Sequence, residues 1–319
     1  MNSVNSLNLK TNKLRRESFE KSWKKIAKNI GLYILLIPGI SYFIIFKYIP
    51  MWGILIAFKD YQPFLGFFKS DWVGFEHFMD FFSNPEFLMI LRNTLILSLL
   101  NILIFFPMPI IFALLLNEIR KVLFKKVIQT MIYVPHFISM VIVASITYVL
   151  FTTEGGAVNE LAQQLTGEDI YFLAEPGWFR PLIIGQTIWK ETGWGTIIFL
   201  AALAGIDVEQ YEAAIIDGAS RLQQLWYVTL PSISSTIVIL MILRMGSVLD
   251  NGFEQIFLMS NSLNREVAEV FDTYVYAVGI TQGAFSYSTA VGLFKSVVGV
   301  VLIMGTNRLA KQFGHTGLY

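Results

Sequence analysis

Ten residues with polar or ionisable groups interrupt apolar stretches in the second half of the chain: Gln186, Lys190, Glu191 and Trp194, then Arg244, Ser247, Asp250, Asn251 and Glu254, then Lys295. Gln186 and Lys190 are four apart. Arg244, Ser247, Asn251 and Glu254 fall at offsets of 0, 3, 7 and 10, which a continuous helix places on one face, with Asp250 beside the stripe. An ionisable group inside a bilayer costs roughly 2.5–3.5 kcal/mol on insertion, so it faces a partner or a wet pathway. One reading is therefore a path for a solute that exchanges hydrogen bonds with these groups. The other is structural, with Lys190 or Arg244 paired to Asp250 or Glu254 to hold helices in register.

Nothing in the chain assembles a reaction centre. Without cysteine there is no thiolate nucleophile, disulfide or thiolate metal site. His77, His136 and His315 are too scattered for a metal cluster and read as surface or packing residues. Gly292-Leu293-Phe294-Lys295-Ser296 imitates the end of a phosphate loop but lacks the glycine that should precede the lysine. A net charge of +1 supplies no field for nucleic acid. The chain is expected to be non-catalytic, with no cofactor or metal of its own, so energy for transport must come from a partner or an ion gradient.

The elements that hold these residues must tolerate hydrocarbon. Apolar residues make up 55% of the 319 and charged residues 15%, with a mean hydropathy of +0.58. An ordinary soluble domain carries roughly a quarter of its residues as charges. A hydrocarbon core about 30 Å thick takes roughly 20 helical residues. Six apolar blocks reach that size, near residues 29–50, 87–116, 127–151, 180–204, 230–259 and 288–307. The expectation is an all-α membrane protein of six transmembrane helices, with a basic tail at 1–28, a membrane domain at 29–310 and a short tail at 311–319. Pro38, Pro107, Pro109 and Pro135 should bend their helices, because each removes a backbone donor.

Lysine and arginine mark the cytoplasmic side. Residues 1–28 hold eight, and the second and fourth connections with the C-terminal tail add seven. The other connections, counting Arg180 at the edge of the fourth block, hold four, against thirteen acidic residues. Both termini are therefore expected in the cytoplasm, as an even number of spans requires. On the outer side, Phe64, Phe67, Phe68, Trp72, Phe75, Phe78, Phe81 and Phe82 are expected to form an interfacial segment at headgroup level.

The connection 205–229 departs from the basic trend, with Arg221 alone against Asp207, Glu209, Glu212 and Asp217. An acidic, helix-forming loop on the cytoplasmic side is a candidate docking element. Its composition predicts a short helix from Tyr211 to Ile216, kept narrow by alanines. Gly218 allows a left-handed turn or a close approach. A second helix from Ala219 to Tyr227 then leads to Pro231, which suits the opening of the next span. Glu212 either pairs with a basic residue of a partner or favours its own helix dipole.

The order Glu212-Ala213-Ala214, Gly218 four residues on, nine further residues and then Val228-x-Leu230-Pro231 resembles the EAA motif of permease subunits of binding-protein-dependent ABC importers. Val228 stands where that pattern usually has isoleucine. WVGFEHFMDFF at 72–82, NTL at 93–95 and FDTYVYAVGITQGAFSYSTAVGLFKSVVGVVL at 271–302 resemble carbohydrate permeases, particularly those handling polysaccharide fragments such as rhamnogalacturonan pieces. The resemblance covers nearly all of residues 30–311.

It implies a type I importer permease fold with a cytoplasmic coupling helix, set in the bacterial cytoplasmic membrane. Tyr211, Glu212, Ala213, Ala214, Asp217, Gly218 and Arg221 would couple to ATPases. The implied partners are a second, different but related permease, two cytoplasmic ATPase subunits carrying ATP and Mg, an extracellular sugar-binding lipoprotein, the oligosaccharide and membrane lipid. ATP-driven closure would push residues 208–226 and rotate the bundle outward. Under this reading the polar residues of the spans meet sugar hydroxyls, and Trp194 or Tyr287 faces a sugar ring. Cations at Lys190, Arg244 and Lys295 then predict an acidic, uronate-containing cargo. An ion-coupled secondary transporter using Glu191, Asp250 or Glu254 is the alternative, and it leaves the EAA spacing without a role.

Overall fold

A computed structural model describes residues 28–312 together with Gly314 and Gly317. The basic tail before residue 28, and His315, lie outside the described residues. The chain divides into two compact units, one ending at Leu55 and one starting at Ile56. The first consists of most of α1 (Ile30–Phe58), in which no residue of Ile30–Phe43 is buried. Leucine, isoleucine, tyrosine and phenylalanine side chains cover that stretch, a surface suited to hydrocarbon.

The second unit begins with a small antiparallel ladder, β1 (Lys59–Asp60) against β2 (Asp71–Trp72). Lys59 Nζ closes the intervening loop by donating to the carbonyls of Phe67 at 2.8 Å and Ser70 at 2.9 Å. Helices follow in order: α2 (Glu76–Ser83), α3 (Phe87–Glu118), α4 (Val122–Tyr133), α5 (Met140–Phe151), α6 (Ala157–Thr166) and α7 (Pro176–Ala204). The remainder are α8 (Val208–Ile216), α9 (Arg221–Gly246), α10 (Phe253–Met259), α11 (Phe271–Tyr276) and α12 (Phe285–Gln312). Among the described residues α1, α3, α9 and α12 are each long and apolar enough to cross a membrane. Two bent pairs, α4 with α5 and α7 with α8, raise the number to six if each pair is one span.

Two blocks differ from the expected continuous helix. The third is broken and not merely kinked, its two helices meeting at 101°. Pro135 sits in a 3-10 turn at Val134–Phe137, and Ser139 restarts the chain by accepting from Ile142 N at 3.4 Å. The fifth ends at Gly246 and restarts at Phe253, after Gly252 takes φ +79. In the second block Pro107 and Pro109 follow a π turn at Asn101–Phe105, where Phe106 N reaches back to Asn101 O at 2.9 Å. The wider turn accommodates the carbonyls that the prolines cannot serve.

Three apolar clusters join the helices. Leu97, Ala144, Phe179, Ile183 and Ile256 bring α3, α5, α7 and α10 together. Ala113, Phe199, Leu203 and Ile233 do the same for α3, α7 and α9. The third corrects the expectation for the outer aromatics: Phe81 is fully buried with Ile90, Phe271, Tyr274 and Val291, clasped between α3, α11 and α12. By contrast Phe64, Phe68, Trp72, Phe75 and Phe82 are exposed, and Phe67 and Phe78 are half-buried. Beside this cluster Asn84 Nδ2 donates to Tyr274 Oη at 2.9 Å and Tyr287 Oη at 3.2 Å. Burial, and then the bond to Tyr287, push Tyr274 upward, so its hydroxyl stays protonated.

Candidate functional site

The connection after α7 folds by local turn chemistry. Asp207 caps α8 by accepting from Glu209 N at 3.0 Å, so the helix starts at Val208, ahead of the expected Tyr211. Its far end closes with Gly218 N donating to Ile215 O at 3.0 Å and Ala219 N to Ala214 O at 2.9 Å. Gly218 has φ +77, and a Cβ there would meet nothing within 4 Å. It therefore serves a left-handed turn and not a close approach. Ser220 and Gln223 form a reciprocal capping box, and the helix they open runs uninterrupted into the fifth span through a π turn at Leu225–Thr229. The expected short second helix is thus the foot of α9, with Pro231 just past that turn.

The loop is anchored on one side and bare on the other. Tyr211 Oη meets Thr229 Oγ1 at 2.9 Å, and Arg221 Nη1 pairs with Glu118 Oε2 at 3.1 Å. Between the end of α3 and the loop lies a cleft of about 900 Å³ lined by Leu114, Glu118, Arg120, Tyr211, Ile215 and Arg221. Glu212, Ala213 and Asp217 are exposed and Ala214 is half-buried. Ile215 and Ile216 are 61% and 86% exposed, an apolar tip that water does not favour.

The polar groups within the spans fall into three separate sets. In the first, Gln186 is buried on α7, donating to Thr147 Oγ1 at 2.7 Å and accepting from Gln255 Nε2 at 3.0 Å. In the second, Lys190 Nζ donates to the carbonyls of His136 at 2.6 Å and Ile138 at 2.8 Å, and lies 3.7 Å from Glu191. Glu191 meets His136 Nδ1 at 2.8 Å, and the imidazole stacks on Trp194 with ring centres 4.6 Å apart. The broken third block produces this cluster, because it opens carbonyls that Lys190 can serve. Gly193 permits the approach, since a Cβ there would collide with the Ile132 carbonyl.

The third set overturns the single stripe expected on the fifth block. The turn at 247–252 separates Arg244 from Glu254, so the four residues share no helix face. Asn251 is buried and donates to Thr94 O at 3.2 Å, while Glu254 is exposed in the first turn of α10. The Ser247 hydroxyl bonds only back to Arg244 O, at 3.4 Å, among the described residues. None of the pairings suggested for Asp250 and Glu254 closes into a salt bridge: Lys295 holds Asp250 at 2.5 Å and also bonds Asp272, and Asp250 attracts Arg244 only at longer range. Arg244 forms no ion pair among the described residues.

Several participants escaped sequence reasoning. His136 looked like a packing residue, although its place beside Pro135 signals a helix break. Gln255 adjoins Glu254 in an apolar run. Ser98 and Asn101 are the polar residues between Leu95 and Leu116. Asn93 and Thr94, noted only as part of a resemblance, are fully buried. Asn93 accepts from Arg180 Nη2 at 3.0 Å and donates to Glu266 O at 2.8 Å and Glu269 O at 3.1 Å, tying α3 to α7 and to the segment before α11.

Comparison with known proteins agrees with this architecture. Residues 105–314 match the family model described as binding-protein-dependent transport system inner membrane component. Protein LplB of Bacillus subtilis (strain 168) is 65% identical over 299 residues, covering 93% of this chain and 94% of that protein. The polygalacturonan/rhamnogalacturonan transport system permease protein YteP of the same organism is 55% identical over 305 residues, covering 96% and 95%. A chain in the crystal structure of a bacterial alginate ABC transporter, in complex with alginate pentasaccharide-bound periplasmic protein, superposes with a TM-score of 0.86 at 39% identity. That match covers 93% of this chain and 99% of the other.

Proposed function

Because the chain belongs to the family of binding-protein-dependent transport system inner membrane components, we propose that it passes uronate-containing oligosaccharides inward under the drive of separate ATPase subunits. It is a permease of an ABC importer for carbohydrates, a non-catalytic, multi-pass subunit of the cell membrane. Membership of this family sets aside the ion-coupled alternative.

The observation that carries the coupling reading is the α8–Gly218–α9 element, a capped helix, a glycine turn and a second capped helix with an apolar tip. A groove on an ATPase subunit would cover Ile215 and Ile216, and Glu212 lies beside them to meet a basic residue. Since α9 is one helix from Arg221 to Gly246, a push at its foot moves the fifth span as a rigid body. ATP and Mg belong to the two ATPases, and a second, related permease completes the path. An external sugar-binding lipoprotein delivers the cargo. The asymmetry of lysine and arginine supports cytoplasmic termini, and six-span parity supports the same side for the coupling element. The acidic cargo draws support from similar proteins, one named for polygalacturonan and another serving import of the acidic polysaccharide alginate.

The test is reconstitution with the two ATPases, the second permease and the binding protein. Trigalacturonate uptake should depend on ATP and on the binding protein, and it should exceed uptake of a neutral trisaccharide. Gly218→Val forces a side chain into left-handed backbone, at a cost of about 1–2 kcal/mol, and should leave ATP hydrolysis without uptake. Full uptake by that variant would contradict the coupling role.

A further inference from the structure

Of the three cations first noted within the spans, two are already satisfied. Lys295 lies between Asp250 and Asp272, and Lys190 is held by two carbonyls and Glu191. Arg244 differs: its buried Nε has no hydrogen-bond partner, and the nearby Asp250 carboxylate, which attracts it without closing a salt bridge, is already held by Lys295. A guanidinium in that state within hydrocarbon is strongly disfavoured unless something polar meets it during the working cycle.

A second unpaired group stands at the same level. Asn101 is buried, its Nδ2 donates to Leu97 O at 3.0 Å, and its Oδ1 has no partner. The helices α3 and α9 run antiparallel here, since Thr94 bonds Asn251 while Ser98, four residues further along, bonds Val248. One more turn brings Asn101, three after Ser98, opposite Arg244, four before Val248. The face of α9 supports this placement. Ile233, Ile237 and Leu240 pack against α3 and α7, and Arg244 is the next residue on the same face. Both helices also lose regularity at this level, α3 in the π turn that starts at Asn101 and α9 at its end, Gly246. The other buried orphans, Arg180 Nε and Thr192 Oγ1, lack this opposition of donor and acceptor.

We infer that Arg244 and Asn101 form a uronate subsite of the translocation path, with the guanidinium fork taking the sugar carboxylate and Asn101 Oδ1 accepting a ring hydroxyl. A uronate presents acceptors at its carboxylate and donors at its hydroxyls, which is what the two unpaired groups require. A neutral sugar offers the guanidinium no counter-charge. The inference rests on the reading that the cargo is a uronate oligosaccharide.

The test uses the complete transporter in proteoliposomes and measures trigalacturonate uptake and binding-protein-stimulated ATP hydrolysis in the same vesicles. Arg244→Gln should cut uptake about tenfold while hydrolysis stays within about twofold, because a transport contact is lost and the engine is intact. Arg244→Lys should recover part of that loss, since it restores charge without the fork. Asn101→Ala should lower uptake by a smaller factor, about threefold. If uptake survives Arg244→Gln, the subsite is wrong while the cargo reading stands. If uptake and hydrolysis fall together in both Arg244 variants, Arg244 is structural, meeting for example a carboxylate of the second permease, and the subsite is again overturned. A wild-type transporter whose hydrolysis is stimulated but which imports no trigalacturonate overturns the cargo reading and the subsite with it. Should Arg244→Gln fail to assemble, Arg244→Lys and Asn101→Ala carry the comparison.

Discussion

Ser98 Oγ lies 2.5 Å from the carbonyl oxygen of Val248, so one hydroxyl on α3 serves the turn that interrupts the fifth apolar block. The same oxygen is 2.7 Å from Thr94 O, and Asn251 Nδ2 reaches Thr94 O at 3.2 Å. A helix that stops inside a membrane frees carbonyls and amides, which hydrocarbon cannot satisfy. Here α3 supplies the missing partners, and the break is sustainable for that reason.

Ser98→Ala should therefore destabilise the transporter by about 1–3 kcal/mol, the cost of leaving a buried carbonyl without a donor. Thermal unfolding of the purified complex in detergent would register this as a lowered midpoint. An unchanged midpoint would mean that the turn at 247–252 draws its support from elsewhere.

Lys295 is the shared cation of Asp250 and Asp272, its side chain and that of Asp272 being mostly buried while Asp250 is more open to solvent. Lys295→Met should cost about 3 kcal/mol, because it strands at least the Asp272 charge. Adding Asp272→Asn should recover much of that loss. A double variant as unstable as the single one would show that Lys295 acts through packing and not through charge.

Phe81 fills the space between α3, α11 and α12, with its ring 4.9 Å from Phe87 and 5.6 Å from Phe294. Phe81→Ala should cost about 3–5 kcal/mol through the cavity it leaves. Phe68→Ala, at an exposed site in the same aromatic segment, should leave the unfolding midpoint nearly unchanged. The difference between the two variants separates a packed core from an interfacial patch.

The coupling element was the most legible part of the chain. Gly218 and Pro231 act on residues within a few positions of themselves, so their roles follow from turn chemistry alone. Its details shifted where a cap reached further than composition suggests, at Asp207, and where α9 absorbed the second short helix. The polar residues of the spans were legible as residues out of place in hydrocarbon, but not as partners. Lys295 could not be matched to Asp272 from spacing, because the pair lies on different helices. Phe81 could not be told from Phe82, since adjacent aromatics in one segment point to different sides of α2.

By itself the sequence determined that this chain lives in a membrane, how many apolar blocks it has and where a glycine turn joins two helices, because burial length and turn preference are properties of short stretches. Tertiary structure alone decided that the fifth block breaks, that the third breaks fully and does not merely bend at Pro135, which charges neutralise each other and that Arg244 Nε and Asn101 Oδ1 are buried without hydrogen-bond partners. Those outcomes depend on donors and acceptors supplied by distant helices, and a backbone group in hydrocarbon adopts whatever geometry lets it be satisfied.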